Sequence, residues 1–241
     1  MFATMARFEF MNIIRERMTA VMLIWPLVIG GLAKYAIHSG MVEGQAAAVI
    51  AMFMTLLAGF AFGAMAGFSL LDDRDDQVFA SIQISPVSLR LYIWFKICFV
   101  WFLAVLAGFL IISLVGIAGM TTGEVLLVSV LSALQVPIVA FLVNSFAKNK
   151  VEGFVTMKAT GFLLMFPIGG FFFLDVKEWL FAPAPAHWAA KAVQYIMLRP
   201  LIEDGFVSMN LNFYQYIGLG VLYNLLLIAA TYSFFVRKND I

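Results

Sequence analysis

The run Asp72-Asp73-Arg74-Asp75-Asp76 sets carboxylates on both sides of one guanidinium, in a chain that is otherwise nearly free of charge. One chemistry such residues could do is to hold Mg²⁺, and through it a diphosphate, because hard cations favour carboxylate oxygens. The motif would be Asp72-Asp73-x-x-Asp76. That chemistry normally uses two facing aspartate clusters, and the sequence contains no second one. The same residues could instead open a short helix, where carboxylates in the first turn complement the helix dipole. Val78, Phe79 and Ile82 then share a face at i, i+1, i+4. A short helix projecting an apolar face into water offers it to a partner. A third reading is a solvated charged turn.

The elements around this run decide its setting. The chain is 63% hydrophobic and 12% charged, with a mean hydropathy of +0.99. Soluble domains are about 45–50% apolar and about 25% charged. The bilayer is therefore the expected solvent. A hydrocarbon core of about 30 Å needs about 20 apolar residues as a helix. Segments of that length occupy Thr19–Ser39, Ala46–Leu71, Leu91–Ile117, Glu124–Phe146, Met157–Leu174 and Phe213–Val236. Their apolar runs are continuous rather than alternating, which favours helices over barrel strands. The expected fold is an all-α integral membrane protein with six transmembrane helices, a single transmembrane domain over 1–241. Two polar stretches stand outside it, the loop 72–90 and the long connection 175–211. The latter mixes Trp179, Phe181, Pro183, Pro185, Trp188 and Tyr195, a composition suited to short re-entrant or interfacial helices before the last span.

Lysine and arginine set the expected orientation. Arg7, Arg15, Arg17, Arg74, Arg90, Lys96, Lys148, Lys150, Lys158, Arg237 and Lys238 fall on one side, against Lys34, Lys177, Lys191 and Arg199 on the other. Both termini and the acidic loop are expected in the cytoplasm, in a multi-pass cell-membrane protein. No cleavable signal is evident, because the first apolar segment is too long for one. Residues 1–18 read as an interfacial helix with Phe10, Ile14 and Met18 on one face and Glu9, Asn12 and Glu16 opposite. An ordinary extension of the first span is the alternative.

Local chemistry marks several boundaries. Thr121-x-x-Glu124 is a capping box. Ser85-Pro86 pairs an N-cap with a first-turn proline and predicts the third helix from there. Pro26, Pro137 and Pro167 predict kinks, and Gln135 stands close enough to Pro137 to take up a freed carbonyl. Gly59, Gly63 and Gly67 form a small-residue stripe that permits close helix approach, within the chain or between two copies.

Other chemistry is scarce. Cys98, the single cysteine, lies in an apolar run and reads as a buried small hydrophobe. The two histidines, His38 and His187, belong to no cluster with metal-ligand spacing. No Gly-x-x-x-x-Gly-Lys-Ser/Thr loop is present, so the chain is not expected to hydrolyse ATP. Lys34 and His38 lie near an outer end, where they can snorkel. No acid sits mid-membrane, which disfavours a proton- or sodium-coupled carrier.

Ser85-Pro86-Val87-Ser88, followed by Tyr92 and Lys96, closely resembles the signature of type-2 ABC transporter permeases. There an acidic residue precedes Gly-Thr-Leu, a short hydrophobic stretch, Ser-Pro-Val-Ser, an aromatic and a lysine. The Gly-Thr pair is missing, and Gln77-Val78 stands near its place. The motif covers about 25 residues, while the six-span layout, amphipathic N-terminus and large last outer loop are similar along the whole chain. The resemblance implies half of an export channel, built from two copies or from one copy and a paralogue. It implies a cytosolic coupling helix between spans two and three that docks on a separate ATPase subunit. Asp75, Asp76, Val78, Phe79, Ile82, Ser85 and Pro86 are the implied contacts. ATP and Mg²⁺ would sit on that partner, with no cofactor and no metal in this chain. The connection Lys148–Gly153 would touch the ATPase or lipid headgroups, or serve only as a positive-inside anchor. Scarce polar groups in the spans imply amphipathic or hydrophobic cargo: drug, peptide or lipid. The rival readings are a membrane prenyl- or phosphatidyl-transferase using Asp72, Asp73 and Asp76, and a scaffold that transports nothing. Nothing indicates nucleic acid, given a net charge of +1.

Overall fold

Six segments long and apolar enough to cross a bilayer are helical in the computed structural model, which describes residues 2–84 and 86–239. No strand occurs among the described residues. Helix α1 (Phe2–Arg15) leads into α2 (Arg17–His38), α3 (Gly44–Asp75), a short α4 (Val78–Gln83) and α5 (Leu89–Val115). The fourth span is divided into α6 (Thr122–Ala133) and α7 (Gln135–Phe146), and the fifth into α8 (Lys150–Thr160) and α9 (Phe162–Gly170). A 3-10 turn (Val176–Phe181) and α10 (His187–Glu203) precede the last span, α11 (Phe213–Asn239).

Helix α3 is the centre of the bundle, packed by α2, α5, α6, α7 and α10. Met52, Leu56, Met65 and Leu70 are fully buried on it. Its glycine stripe explains how the neighbours come so near. A Cβ on Gly63 would stand 2.8 Å from Val139 Cβ and 3.2 Å from Val136 Cα; one on Gly67 would stand 3.1 Å from Val143 Cβ. A Cβ on Gly59 would overlap the Ser132 carbonyl oxygen. The stripe therefore serves packing within the chain, against α6 and α7. Two hydrogen bonds lock the seam: Ser132 Oγ donates to Thr55 O and Asn144 Nδ2 to Gly67 O, both at 2.8 Å.

Proline and capping chemistry set most breaks. The fourth span is interrupted at Leu134, three residues before Pro137, and Gln135 Nε2 donates to Ser132 O at 3.2 Å beside the break. The fifth is interrupted at Gly161, and α9 then runs on through Pro167. Helix α2 runs unbroken through Pro26. The capping box at Thr121 and Glu124 forms as expected. Asn149 caps α8 through Glu152 N at 3.0 Å, and Glu152 Oε2 accepts from Lys148 N at 2.8 Å. This polar cap starts the fifth span at Lys150, seven residues before hydropathy alone would place it.

Several expectations are corrected. Asp72 to Asp75 close α3 instead of opening α4. Helix α5 starts at Leu89, capped by Ser88 Oγ accepting from Leu91 N at 3.3 Å, so Ser88 has the role expected of Ser85. Ser85 itself lies outside the described residues. The face of α1 turned to the bundle carries Glu9 and Ile13, while Phe10 and Ile14 are exposed. Cys98 is exposed on α5, not buried.

At the α10 end of the bundle lies a buried ion pair that the sequence reading missed. Lys191 Nζ meets Glu178 Oε2 at 2.6 Å with both side chains out of solvent. Tyr216 donates to Glu178 Oε1 at 2.8 Å, and Lys191 also donates to Phe173 O and Gln194 Oε1, each at 2.7 Å. This network clamps the connection before the last span onto α10 and α11.

Candidate functional site: the loop end carrying α4

The acidic run lies where α1, α3, α4, α5 and α8 converge. Carboxylates at a helix C-terminus oppose the dipole, so α3 can end in Asp72 and Asp73 only with cations beside them. Lys96, from α5, forms a short charge-assisted contact with Asp73 and lies 3.6 Å from Glu9 of α1. Its Nζ also donates to Ser69 O at 3.3 Å, and Tyr92 donates to Asp73 Oδ2 at 2.9 Å. Lys150, opening α8, bridges Asp72 at 2.8 Å and Glu16 at 3.3 Å. Arg74 reaches the opposite way, to Ala147 O at 2.5 Å and Asn239 Oδ1 at 2.8 Å. The N-terminal segment, the acidic loop, the fourth connection and the end of α11 therefore meet at one end of the bundle.

Burial pushes the Glu9 carboxyl above the usual carboxylate range, with Lys96 pulling against it. Partial burial acts in the same sense on Glu16. There the Thr19 N–H at 2.8 Å and Lys150 outweigh it and hold the carboxyl below its usual range. Glu16 Oε2, accepting from Thr19 N, is also the N-cap that starts α2.

This geometry separates the residues of the loop. Asp75, Asp76, Gln77 and Pro86 are exposed, and Ile84 is 90% exposed. Val78, Phe79 and Ile82 are half-buried. Val78 and Ile82 face Met5, Phe8 and Tyr92, and Phe79 packs against the core. The apolar face of α4 is thus turned inward, and the surface left open is an acidic edge with Ile84 beside it. Gln77, which joins α3 to α4, has φ +58°, the only non-glycine in the left-handed region among the described residues. A left-handed backbone costs an ordinary residue about 1–2 kcal/mol. Gln77 stands near the glycine of the permease signature, which would adopt that backbone freely.

The aspartates do not converge as a cation site. Asp73 is held by Lys96 and Tyr92, and Asp72 by Lys150. An ammonium already stands where a metal would have to enter. No group of three or more His, Cys, Asp or Glu with metal-binding geometry occurs among the described residues. Nothing local in the sequence shows what Glu9 and Arg74 touch, because their partners lie far along the chain. Lys96 could be found, as an ionisable residue set in the apolar run Ile93-Trp94-Phe95-Lys96-Ile97.

A family model described as fluoroquinolones export permease protein Rv2686c-like matches residues 9–232. This chain belongs to that family. It is a family of type-2 ABC permeases, in accord with the loop signature. Among curated proteins, the chain is similar to the fluoroquinolones export permease proteins MT2760 and Rv2686c of Mycobacterium tuberculosis, strains CDC 1551 / Oshkosh and ATCC 25618 / H37Rv. Each is 23% identical over 224 residues, covering 92% of this chain and 83% of the relative. No solved structure matches.

Proposed function

We propose that this chain is the membrane permease subunit of an exporter powered by a separate ATPase subunit, to which the α3–α4 connection docks. The observation that carries this reading is the open acidic edge of Asp75 and Asp76 beside the exposed Ile84, on a loop pinned from within by ion pairs. A rigidly held projection passes a partner's movement to the helices behind it. Two copies, or one copy and a paralogue, enclose the path. ATP and Mg²⁺ belong to the partner, both termini face the cytoplasm, and the chain lies in the cell membrane. Substrate and nucleotide must favour different states for such coupling to work. The cargo is amphipathic or hydrophobic, and the names of the mycobacterial relatives favour an aromatic drug over a peptide or lipid.

The half-burial of Val78, Phe79 and Ile82 moves the proposed contact outward, to Asp75, Asp76 and Ile84, with Ser85 and Pro86 adjoining. Mild-detergent purification from the native host, with mass spectrometry of co-eluting proteins, tests the proposal. A near-stoichiometric ATPase should co-elute and be lost from Asp75→Lys/Asp76→Lys/Ile84→Asp, with the fold intact. An ATPase retained by that variant would remove the docking assignment. No ATPase under several mild conditions would remove the exporter reading.

A further inference from the structure

Between α1, α4 and α5 lies a cavity of about 330 Å³, within the range that holds small ligands. Its walls are largely apolar and aromatic, from Phe8, Val78, Ile82, Tyr92 and Phe95, with the amide of Asn12 among them. One charged group lines it. Glu9 is 5% exposed, and its Oε1 accepts no hydrogen bond. The nearest cation, Lys96, is committed to Asp73 by the shorter contact and leaves Glu9 at 3.6 Å. Two carboxylates thus share one ammonium, and Glu9, which lines the cavity, is the more weakly held of the two.

We propose that this cavity binds an organic ammonium with an apolar body, its nitrogen on Glu9 and its body against the aromatic wall. A metal ion is the wrong occupant, because largely apolar walls with one carboxylate and one amide cannot supply its oxygen shell. A neutral molecule would leave the buried Glu9 with only its long contact to Lys96, which is costly. An ammonium satisfies the carboxylate and gains further from the faces of Tyr92 and the phenylalanines. Two sources carry this chemistry: the headgroup of an aminophospholipid and a lipophilic amine from solution. The inference concerns binding alone. It needs no ATPase, so its failure leaves the docking surface of α4 untouched.

The test uses the full chain in phosphatidylglycerol nanodiscs, with protonated 1-naphthylmethylamine as probe and neutral 1-naphthylmethanol as its control. The amine should bind at least about tenfold more tightly than the alcohol, the gain expected of a charge-assisted contact. Glu9→Gln should erase most of that difference, and Glu9→Asp should keep part of it. Should Glu9→Gln fail to fold, Val78→Trp fills the cavity with Glu9 in place and should weaken the amine, and with it whatever alcohol binds there. Equal affinity for amine and alcohol, or an amine affinity untouched by these variants, overturns the proposal. Discs containing phosphatidylethanolamine separate the sources. Competition seen in the wild type and lost in Glu9→Gln identifies the headgroup, and its absence identifies the soluble amine.

Discussion

Replacing Gly63 by alanine tests the central seam of the bundle. The new methyl would stand 2.8 Å from Val139 Cβ and 3.2 Å from Val136 Cα. Carbon atoms pack best at about 3.5–4.0 Å, so α3 and α7 must part by about 1 Å. Val136 meets the methyl with backbone, so a rotamer change cannot absorb the overlap. Overpacking of this kind costs about 1–3 kcal/mol. The same shift stretches the Ser132–Thr55 and Asn144–Gly67 hydrogen bonds, both now 2.8 Å. Such bonds contribute about 0.6 kcal/mol each within a membrane. Alanine returns about 1 kcal/mol in helix propensity. The balance is a loss of about 1–3 kcal/mol. Gly218→Ala is the control, because a Cβ there meets nothing within 4 Å; it should gain up to about 1 kcal/mol. Reversible unfolding in mixed micelles with increasing dodecyl sulfate reads both. A Gly63→Ala protein as stable as the wild type, with Gly218→Ala stabilised, would refute the close-approach account.

Lys191→Met should cost about 3–5 kcal/mol by leaving Glu178 charged and buried, whereas Lys191→Met/Glu178→Gln should recover much of the loss in the same unfolding assay. Gln77→Gly should raise stability by about 0.5–1 kcal/mol, since relief of the left-handed backbone exceeds the extra freedom of the unfolded chain; a loss would deny strain at the α3–α4 joint. Glu9 holds its proton to higher pH in the native state than in the unfolded chain. The stabilisation this gives is complete below the unfolded value of about 4.3 and is lost as pH rises through the native value. Glu9→Gln should remove that slope from thermal midpoints measured across pH. A slope unchanged in the variant would assign it to another group.

The spans were legible because uninterrupted hydropathy is a strong signal in a bilayer. The capping box at Thr121 was legible because both of its residues are local in sequence. What stayed hidden depends on partners far along the chain. Asp72 and Asp73 look like the start of a helix until Lys96 and Lys150 stand beside them, and those lysines let α3 run on to Asp75. The apolar residues of α4 looked free because the segment that covers them, around Met5 and Phe8, lies some 70 residues earlier. Nothing local in the sequence shows that Glu178 and Lys191 pair across the connection before the last span. The glycine stripe showed its purpose but not its partner, since close approach reads the same for an internal neighbour and a second copy.

Helix α3 runs for 32 residues without interruption, a length of about 48 Å at 1.5 Å per residue. The fourth and fifth spans are each jointed, whereas α3 is walled in on most sides. A rod so confined can slide or tilt but has little room to flex. A push on Asp75 at one tip is therefore passed to Gly44 at the other as movement of one body. An unbroken axle thus stands at the centre of the bundle and can carry a displacement from one end of it to the other.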